Sequence, residues 1–330
     1  MMKMKKKRVL SGIQPSGKLH LGNYIGALHN WVGLQDQYDC FFFIADLHAL
    51  TTAYDNIKHL PEYIKGVALD LLSVGLDPDK CVIFKQSDVP EHCELHLLFS
   101  MITPTSWLER VPTYKSKIEE LTGKDLGTYG FLGYPVLQAA DILIYKADLV
   151  PVGEDQLPHL ELTREIARRF NHFYGAVFPE PKELLTHVPV MPGLDGRKMS
   201  KSYGNTIALS DSVDETRKKV NAMVTDPARV RKEDPGHPDV CTVFTYHSIF
   251  NKEELAVIEK ECRAGERGCV ACKKEFLEKL LDFLKPIREK RKELESDPKV
   301  AEGAVREGGM KAIEAASATL KGAKKAMGLI

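Results

Sequence analysis

Apolar positions in the first part of the chain fall into short runs separated by segments of helical period. Arg8 to Ile13 reads as a strand, and Asn23 to Gln35 places Ile25, Leu28, Trp31, Val32 and Leu34 at helical spacing. Phe41 to Ala45 is an unbroken apolar run of strand length. Leu60 to Val74 returns to the helical period, and Cys81 to Phe84 reads as a third strand. Strands alternating with helices of this length predict an α/β unit, a parallel sheet with helices on its faces. Positions 92–147 are mostly helical in pattern, Leu149 to Val152 supplies one more strand, and a helix follows from Gln156 to Phe170. The stretch His187 to Thr206, with Pro189, Pro192, Gly193, Gly196 and Gly204, reads as a mobile loop. From Ser210 onward the pattern is helical, most strongly over 252–263, 273–296 and 310–327. The expected organisation is an α/β domain over 1–208 and an all-helical domain over 209–330.

Composition narrows the class. The 330 residues are 43% hydrophobic and 28% charged, enough to bury a full core. No apolar run approaches the length of a membrane span, and the apolar stretch after the basic N-terminus stops at Ser11-Gly12, too short for a signal peptide. A cytoplasmic protein, with no membrane partner, is expected. Lys plus Arg and Asp plus Glu both number 46, so any nucleic acid must be met by a local patch. The candidates are Arg229/Arg231/Lys232, Lys273/Lys274, Arg288/Lys290/Arg291/Lys292 and Lys321/Lys324/Lys325, each of which also reads as an ordinary solvated face. Of seven cysteines, Cys40, Cys81 and Cys93 lie apart and read as small core hydrophobes. Cys241, Cys262, Cys269 and Cys272 cluster, which in such a chain points to a metal site and not a disulfide framework. Four thiolates suit either Zn²⁺ or a [4Fe–4S] cluster.

Two motifs carry chemistry. The first strand runs into Gly12-Ile13-Gln14-Pro15-Ser16-Gly17-Lys18-Leu19, nearly a phosphate-binding P-loop, but Leu19 stands where a Mg²⁺-binding hydroxyl belongs. His20-Leu21-Gly22-Asn23 then opens a helix. A glycine there admits close approach, and a helix N-terminus offers free N–H groups to an anion. The second motif, Lys198-Met199-Ser200-Lys201-Ser202, puts two cations and two hydroxyls on the Pro/Gly-rich loop, where they can meet charge growing on a leaving polyphosphate. Asp141 stands in the apolar run Val136 to Ile144, where a carboxylate needs a donor. His92 and His96 do not form a zinc helix, because Glu does not directly follow the first His; an exposed, capped helix start accounts for the segment.

In this order on a parallel α/β framework, the two motifs resemble the HIGH and KMSKS signatures of class I aminoacyl-tRNA synthetases. The second is identical; the first departs at its second and fourth positions. Ser11 to Gly17, Tyr134 to Leu143, and Val150 to Gln156 with its helix to Arg164 extend the resemblance over nearly the whole chain, to bacterial-type tryptophanyl-tRNA synthetases. The resemblance implies a Rossmann-type catalytic domain, a helical anticodon-binding domain, a homodimer, and ATP with Mg²⁺, L-tryptophan and tRNA(Trp) as partners. It places Gln14, Pro15, Ser16, His20, Gly22 and Asn23 around ATP. Gly153, Glu154 and Asp155 lie on its ribose and adenine side, with the Val190 backbone at adenine. Lys117 (or Lys115) joins Asp155 and Lys198 to Ser202 at the phosphates. Asp141 is to read the indole N–H. Tyr134 and Gln156 are to hold the amino and carboxylate ends, with Gln138, His48, Val150 and Val152 around the pocket. Some members carry a [4Fe–4S] cluster with this Cys241/Cys262/Cys269/Cys272 spacing, and the chain resembles that subgroup; zinc is the alternative. The rival readings are a tyrosyl-tRNA synthetase, and a nucleotidyltransferase or non-catalytic paralogue on the same framework.

Overall fold

A computed structural model describes residues 6–112, 114, 126–185, 191–231 and 233–330. Five parallel strands, β1 (Arg8–Ile13), β2 (Asp39–Ile44), β3 (Cys81–Lys85), β4 (Leu149–Val152) and β5 (Lys182–Leu185), lie in the order β3-β2-β1-β4-β5. The sequence pattern predicts the first four. The fifth has three of the four residues of its Lys-Glu-Leu-Leu segment exposed and none buried, so it carries no clear alternating signal; its pairing with β4 makes it a strand. β2 shows why such sheets need helices on both faces. Cys40, Phe42 and Ile44 enter one core, with Trp31 stacked on Phe42 at 4.6 Å, while Phe41 and Phe43 enter the other, against Phe84 and Tyr145.

The helices are α1 (Leu21–Asn23), α2 (His29–Leu34), α3 (Asp46–Ala53), α4 (Leu60–Ser73), α5 (Glu91–Ser100), α6 (Thr105–Glu109), α7 (Tyr129–Ile144), α8 (Leu157–Tyr174), α9 (Val213–Ala222), α10 (Thr242–Phe250), α11 (Leu255–Arg263), α12 (Cys269–Ser296) and α13 (Pro298–Ala326). α1 and α2 are one helix interrupted by a π turn, Tyr24–Leu28, a wide-turn device that clusters at functional sites. Among the described residues no helix is long and apolar enough to cross a membrane. α12 packs on α4 and α10, and α13 returns to the sheet beside β3. There the approach is close. A Cβ built on Gly308 would lie 1.9 Å from the Ile83 carbonyl oxygen and 3.0 Å from the Ile83 nitrogen, so α13 covers the outer backbone edge of the sheet.

Gly308→Ala is expected to destabilise the protein by about 1–3 kcal/mol, as overpacking against backbone does, even though alanine favours a helix by about 1 kcal/mol over glycine. Urea unfolding checks this, and unchanged or raised stability would contradict the close approach.

Candidate active site

The strand order reverses between β1 and β4, and the ends of those two strands deliver the site. Open α/β sheets bind ligands at this switch point. β1 leads through Gln14 to Gly17 into the helix that starts after His20. His20 caps that helix: its Nδ1 accepts from the Asn23 N–H at 3.3 Å, and Asn23 Oδ1 accepts from the His20 N–H at 3.1 Å. Nδ1 is an acceptor here, so the ring proton sits on Nε2. Burial, with the charge of Lys201 nearby, lowers the His20 pKa to about 4, so the ring is a neutral donor at physiological pH.

The distant signature loop meets this helix start directly. The Leu21 N–H donates to the Ile207 carbonyl (3.0 Å), the Leu209 N–H donates to the Leu19 carbonyl (2.9 Å), and His20 bridges antiparallel to Ala208. Gly22 is required by contact: a Cβ there would sit 3.0 Å from the His20 ring and 3.5 Å from Met199 Sδ, onto which the Gly22 N–H points at 3.3 Å. The loop itself is a hairpin, Pro192 opposite Lys198. Asn205 pins it by accepting from the Ser200 N–H (2.8 Å) and donating to Asp195 (2.7 Å) and the Lys198 carbonyl (3.2 Å). Asn205 and Asp195 escape sequence reasoning because a Gly/Pro-rich segment looks like turn chemistry alone. Lys201 Nζ donates to Ser16 Oγ (3.3 Å) and the Gly17 carbonyl (3.1 Å); burial pushes its pKa down to about 8, against the opposing pull of Asp70.

A cleft of about 490 Å³ results. Gln14, Ser16, His20, Gly22, Asn23, Gly153, Asp155 and Lys198 to Ser202 all line it, as the resemblance implies; Ile13, Gly26 and Met191 complete it. Pro15 is buried behind this wall, and Glu154 is exposed on the turn beside Asp155. Lys117, Lys115 and Val190 lie outside the described residues. A second cavity of about 300 Å³ adjoins the first at Gln14 and is lined by His48, Tyr134, Gln138, Asp141, Val150, Val152 and Gln156, the whole expected amino-acid set, with His159 and Phe43 added.

Asp141 is 1% exposed and meets donors from three sides. His48 Nε2 stands 2.8 Å from Oδ2, Gln86 Nε2 donates to both oxygens at 2.8 and 2.9 Å, and His92 Nδ1 stands 2.5 Å from Oδ1. Burial works against the charge, but His92 and His48 outweigh it and hold the carboxyl down at about 2. The expectation of an exposed helix start at His92 is overturned. His92 is fully buried, and its other nitrogen meets the Tyr145 hydroxyl at 2.7 Å. Helical periodicity gives no hint of this, because the partner that draws His92 inward is 49 residues away. Cys93 is exposed, against the core reading of that thiol.

The four late cysteines come together electrostatically. Burial first, then one another's charge, pushes the Cys241, Cys262 and Cys272 thiols upward, with Cys269 among the neighbours felt by Cys241 and Cys262. They do not close a coordination sphere: among the described residues no group of three or more His, Cys, Asp or Glu is placed to hold a metal ion. Cys241 precedes α10, Cys262 lies near the end of α11, and Cys269 and Cys272 share the first turn of α12, where Cys272 Sγ lies 3.4 Å from His247 Nε2. Two of the basic residues also turn inward: Arg288 bonds to the buried Thr216 and Arg291 to the buried Asp70, while Lys232 lies outside the described residues.

Residues 2–285 match the family model described as tRNA synthetases class I (W and Y). A tryptophan–tRNA ligase of Thermotoga maritima is 53% identical, with 98% of this chain and 99% of that protein aligned. One from Aquifex aeolicus is 48% identical over 98% of this chain and 100% of its own. The crystal structure of tryptophanyl-tRNA synthetase from Campylobacter jejuni complexed with ADP and tryptophan superposes with a TM-score of 0.88 at 36% identity, covering 97% of this chain and 99% of that one.

The depressed His20 pKa has a signed consequence. The unfolded chain takes up the proton near 6.5 and the folded chain only near 4, so this contribution to stability is full above the first value and lost as pH falls toward the second. His20→Gln is expected to flatten the pH dependence of unfolding free energy in that window, and the His20 ring should show no NMR titration at neutral pH. A ring titrating at the ordinary value would contradict the neutral-donor geometry.

Proposed function

The chain belongs to the class I tRNA synthetases of the tryptophan and tyrosine group, and we propose from its two adjoining cavities that it activates L-tryptophan with Mg-ATP and transfers it to tRNA(Trp). It is an enzyme, a tryptophan–tRNA ligase. The observation that carries the choice of amino acid is the ionised, buried Asp141 in a cavity next to the signature cleft. In the first step the tryptophan carboxylate oxygen attacks the α-phosphorus of ATP. The bond to the bridging oxygen breaks, and pyrophosphate leaves with the electron pair. In the second, a hydroxyl of the terminal tRNA adenosine attacks the aminoacyl carbonyl and AMP leaves. The substrate supplies the nucleophile, so the protein contributes position and charge.

We assign Gln14, Ser16, Gly22 and Asn23 to the phosphates and ribose of ATP, with His20 donating from Nε2, and Gly153, Glu154 and Asp155 to the nucleoside side. Lys198 and Lys201 meet the pyrophosphate, helped by Ser200, Ser202 and Lys117, with Val190 at adenine. Lys201 rests on neutral oxygens of Ser16 and Gly17, partners that an arriving polyphosphate can outbid. Tyr134 and Gln156 take the amino and carboxylate ends of tryptophan, Gln138, His48, Val150 and Val152 line its ring, and Asp141 accepts from the indole N–H. The helical part, 209–330, is assigned to the tRNA anticodon. A homodimer and a cytoplasmic location complete the reading.

The cysteine set fits a [4Fe–4S] cluster in donor type and number, and burial and the charge of neighbouring cysteines push the Cys241, Cys262 and Cys272 thiols upward. Cys241, Cys262, Cys269 and Cys272 would hold it. When bound, the cluster supplies a brace between helices and no redox step. Protein purified without oxygen is expected to be brown with about four irons per chain; colourless anaerobic protein holding one zinc would favour the zinc alternative.

Amino-acid-dependent ATP–pyrophosphate exchange tests the function: tryptophan alone among the twenty should support it, whereas tyrosine-dependent exchange would favour the rival enzyme. Asp141 has its own measurement, kcat/KM for tryptophan against an analogue with sulfur in place of the indole nitrogen. A hydrogen bond to a charged group contributes roughly 1.5–3 kcal/mol, so wild type should prefer tryptophan about 10- to 150-fold and Asp141→Ala should lose most of that ratio. The ratio is the right readout, because the alanine also unpairs His48, Gln86 and His92 and lowers overall activity. A variant that keeps the preference removes Asp141 as the reader and passes the role to Gln138.

A further inference from the structure

Helix α12 reaches the catalytic loop through two arginines one turn apart. Arg288 donates from Nε to the Leu209 carbonyl at 3.3 Å and from Nη2 to Thr216 Oγ1 at 2.6 Å. Arg291 pairs with Asp70 of α4 and donates to the Gly66 carbonyl at 3.2 Å. Both routes converge on one peptide. The Leu209 N–H donates to the Leu19 carbonyl, and the Leu19 backbone amide faces Asp70 and favours its charged form. The Leu19 carbonyl is thus held by the segment that Arg288 grips, and its amide faces the carboxylate that Arg291 grips. It directly precedes His20, and Lys201 rests on Ser16 and Gly17 of the same loop.

Asp70 is 2% exposed and the Arg291 side chain 13%. Such a pair is a poor stability device, since burying two charges costs several kcal/mol and well-packed apolar residues often replace a buried pair without loss. Nothing in the activation chemistry uses Asp70 or Arg291 directly. Their geometry holds the loop that presents His20 and receives Lys201.

We propose that Asp70 and Arg291 are positioning residues for adenylate formation, through which the helical unit sets the placement of His20 and of Lys201. The inference rests on the assignment of His20 and Lys201 to ATP. A charge relation accompanies the geometry. Lys201 is faced by Asp70, by His20 and by the oxygens of Ser16 and Gly17; Asp70 is faced by Arg291, the Leu19 N–H and Lys201. Burial raises Asp70 to about 6 against the pull of Arg291, and Asp70 in turn pulls the lowered Lys201 upward. Loss of the Asp70 charge therefore moves the Lys201 titration to lower pH.

The test compares wild type, Asp70→Asn and the double variant Asp70→Leu/Arg291→Met in full-length protein, by thermal unfolding and by tryptophan-dependent ATP–pyrophosphate exchange across neutral and alkaline pH. The double variant is expected to keep or raise Tm. Both variants should lose about tenfold or more in kcat/KM for ATP, as small misplacements of reacting groups do, with the KM for tryptophan unchanged. The alkaline limb of kcat/KM for ATP should shift to lower pH in both. A double variant with wild-type Tm, wild-type kcat/KM for ATP and an unmoved limb overturns the proposal. One that unfolds shows a merely structural pair and overturns it too. If wild type supports no exchange with any amino acid, the functional reading itself fails and this inference falls with it.

Discussion

Two backbone hydrogen bonds between Leu19–Leu21 and Ile207–Leu209 bring together segments at opposite ends of the catalytic unit. Every side-chain arrangement at the cleft depends on them. They set Gly22 under Met199, bring Lys201 onto Ser16 and Gly17, and leave the His20 ring between helix cap and loop. Backbone groups suit this work because they are tied to the chain's path and tolerate substitution around them. The residues doing chemistry are then free to be chosen for charge alone.

Burial disfavours charge on every group of this protein, and the partners decide whether the charge survives. His20 is buried beside a cation and loses its proton; Asp141 is more deeply buried, yet two histidines and a glutamine keep it ionised. The result is a division of labour between neighbouring cavities. One presents cations and a neutral ring donor, the other a fixed negative charge. Low dielectric surroundings strengthen electrostatic interactions in both cavities, and the buried Asp141 charge therefore needs the donors that His48, Gln86 and His92 supply.

The strands and most helices could be read from the chain because their signal is local. The run Phe41 to Ala45 can only be a buried strand, and the helical period of Leu60 to Val74 leaves little choice. The cleft was legible for a different reason: its residues occupy short contiguous motifs, so naming the motif names the side chains. What escaped is non-local. β5 is a strand through its partner, His92 is drawn inward by a carboxylate on another helix, and Asn205 acts through hydrogen bonds inside a loop that composition describes only as turn-rich. Arg288 and Arg291 sit in a basic run that looks solvated, and only packing of α12 against α4 shows which of its charges face inward. The cysteine cluster is intermediate: spacing brings the four thiols to notice, and among the described residues they form no group placed to hold a metal ion.

The close packing of α13 along β3 bears on how the chain is made. β3 ends the sheet, and its outer backbone groups are shielded by a helix centred near Gly308, the last long helix in the sequence. During vectorial synthesis the strand therefore leaves the ribosome long before its cover. For that interval the nascent sheet carries an open, apolar edge able to recruit a strand from a neighbouring polypeptide. Slow passage through the codons of α13 would lengthen that exposure, so expression yield at high translation density should depend on this helix more than its distance from the cleft suggests.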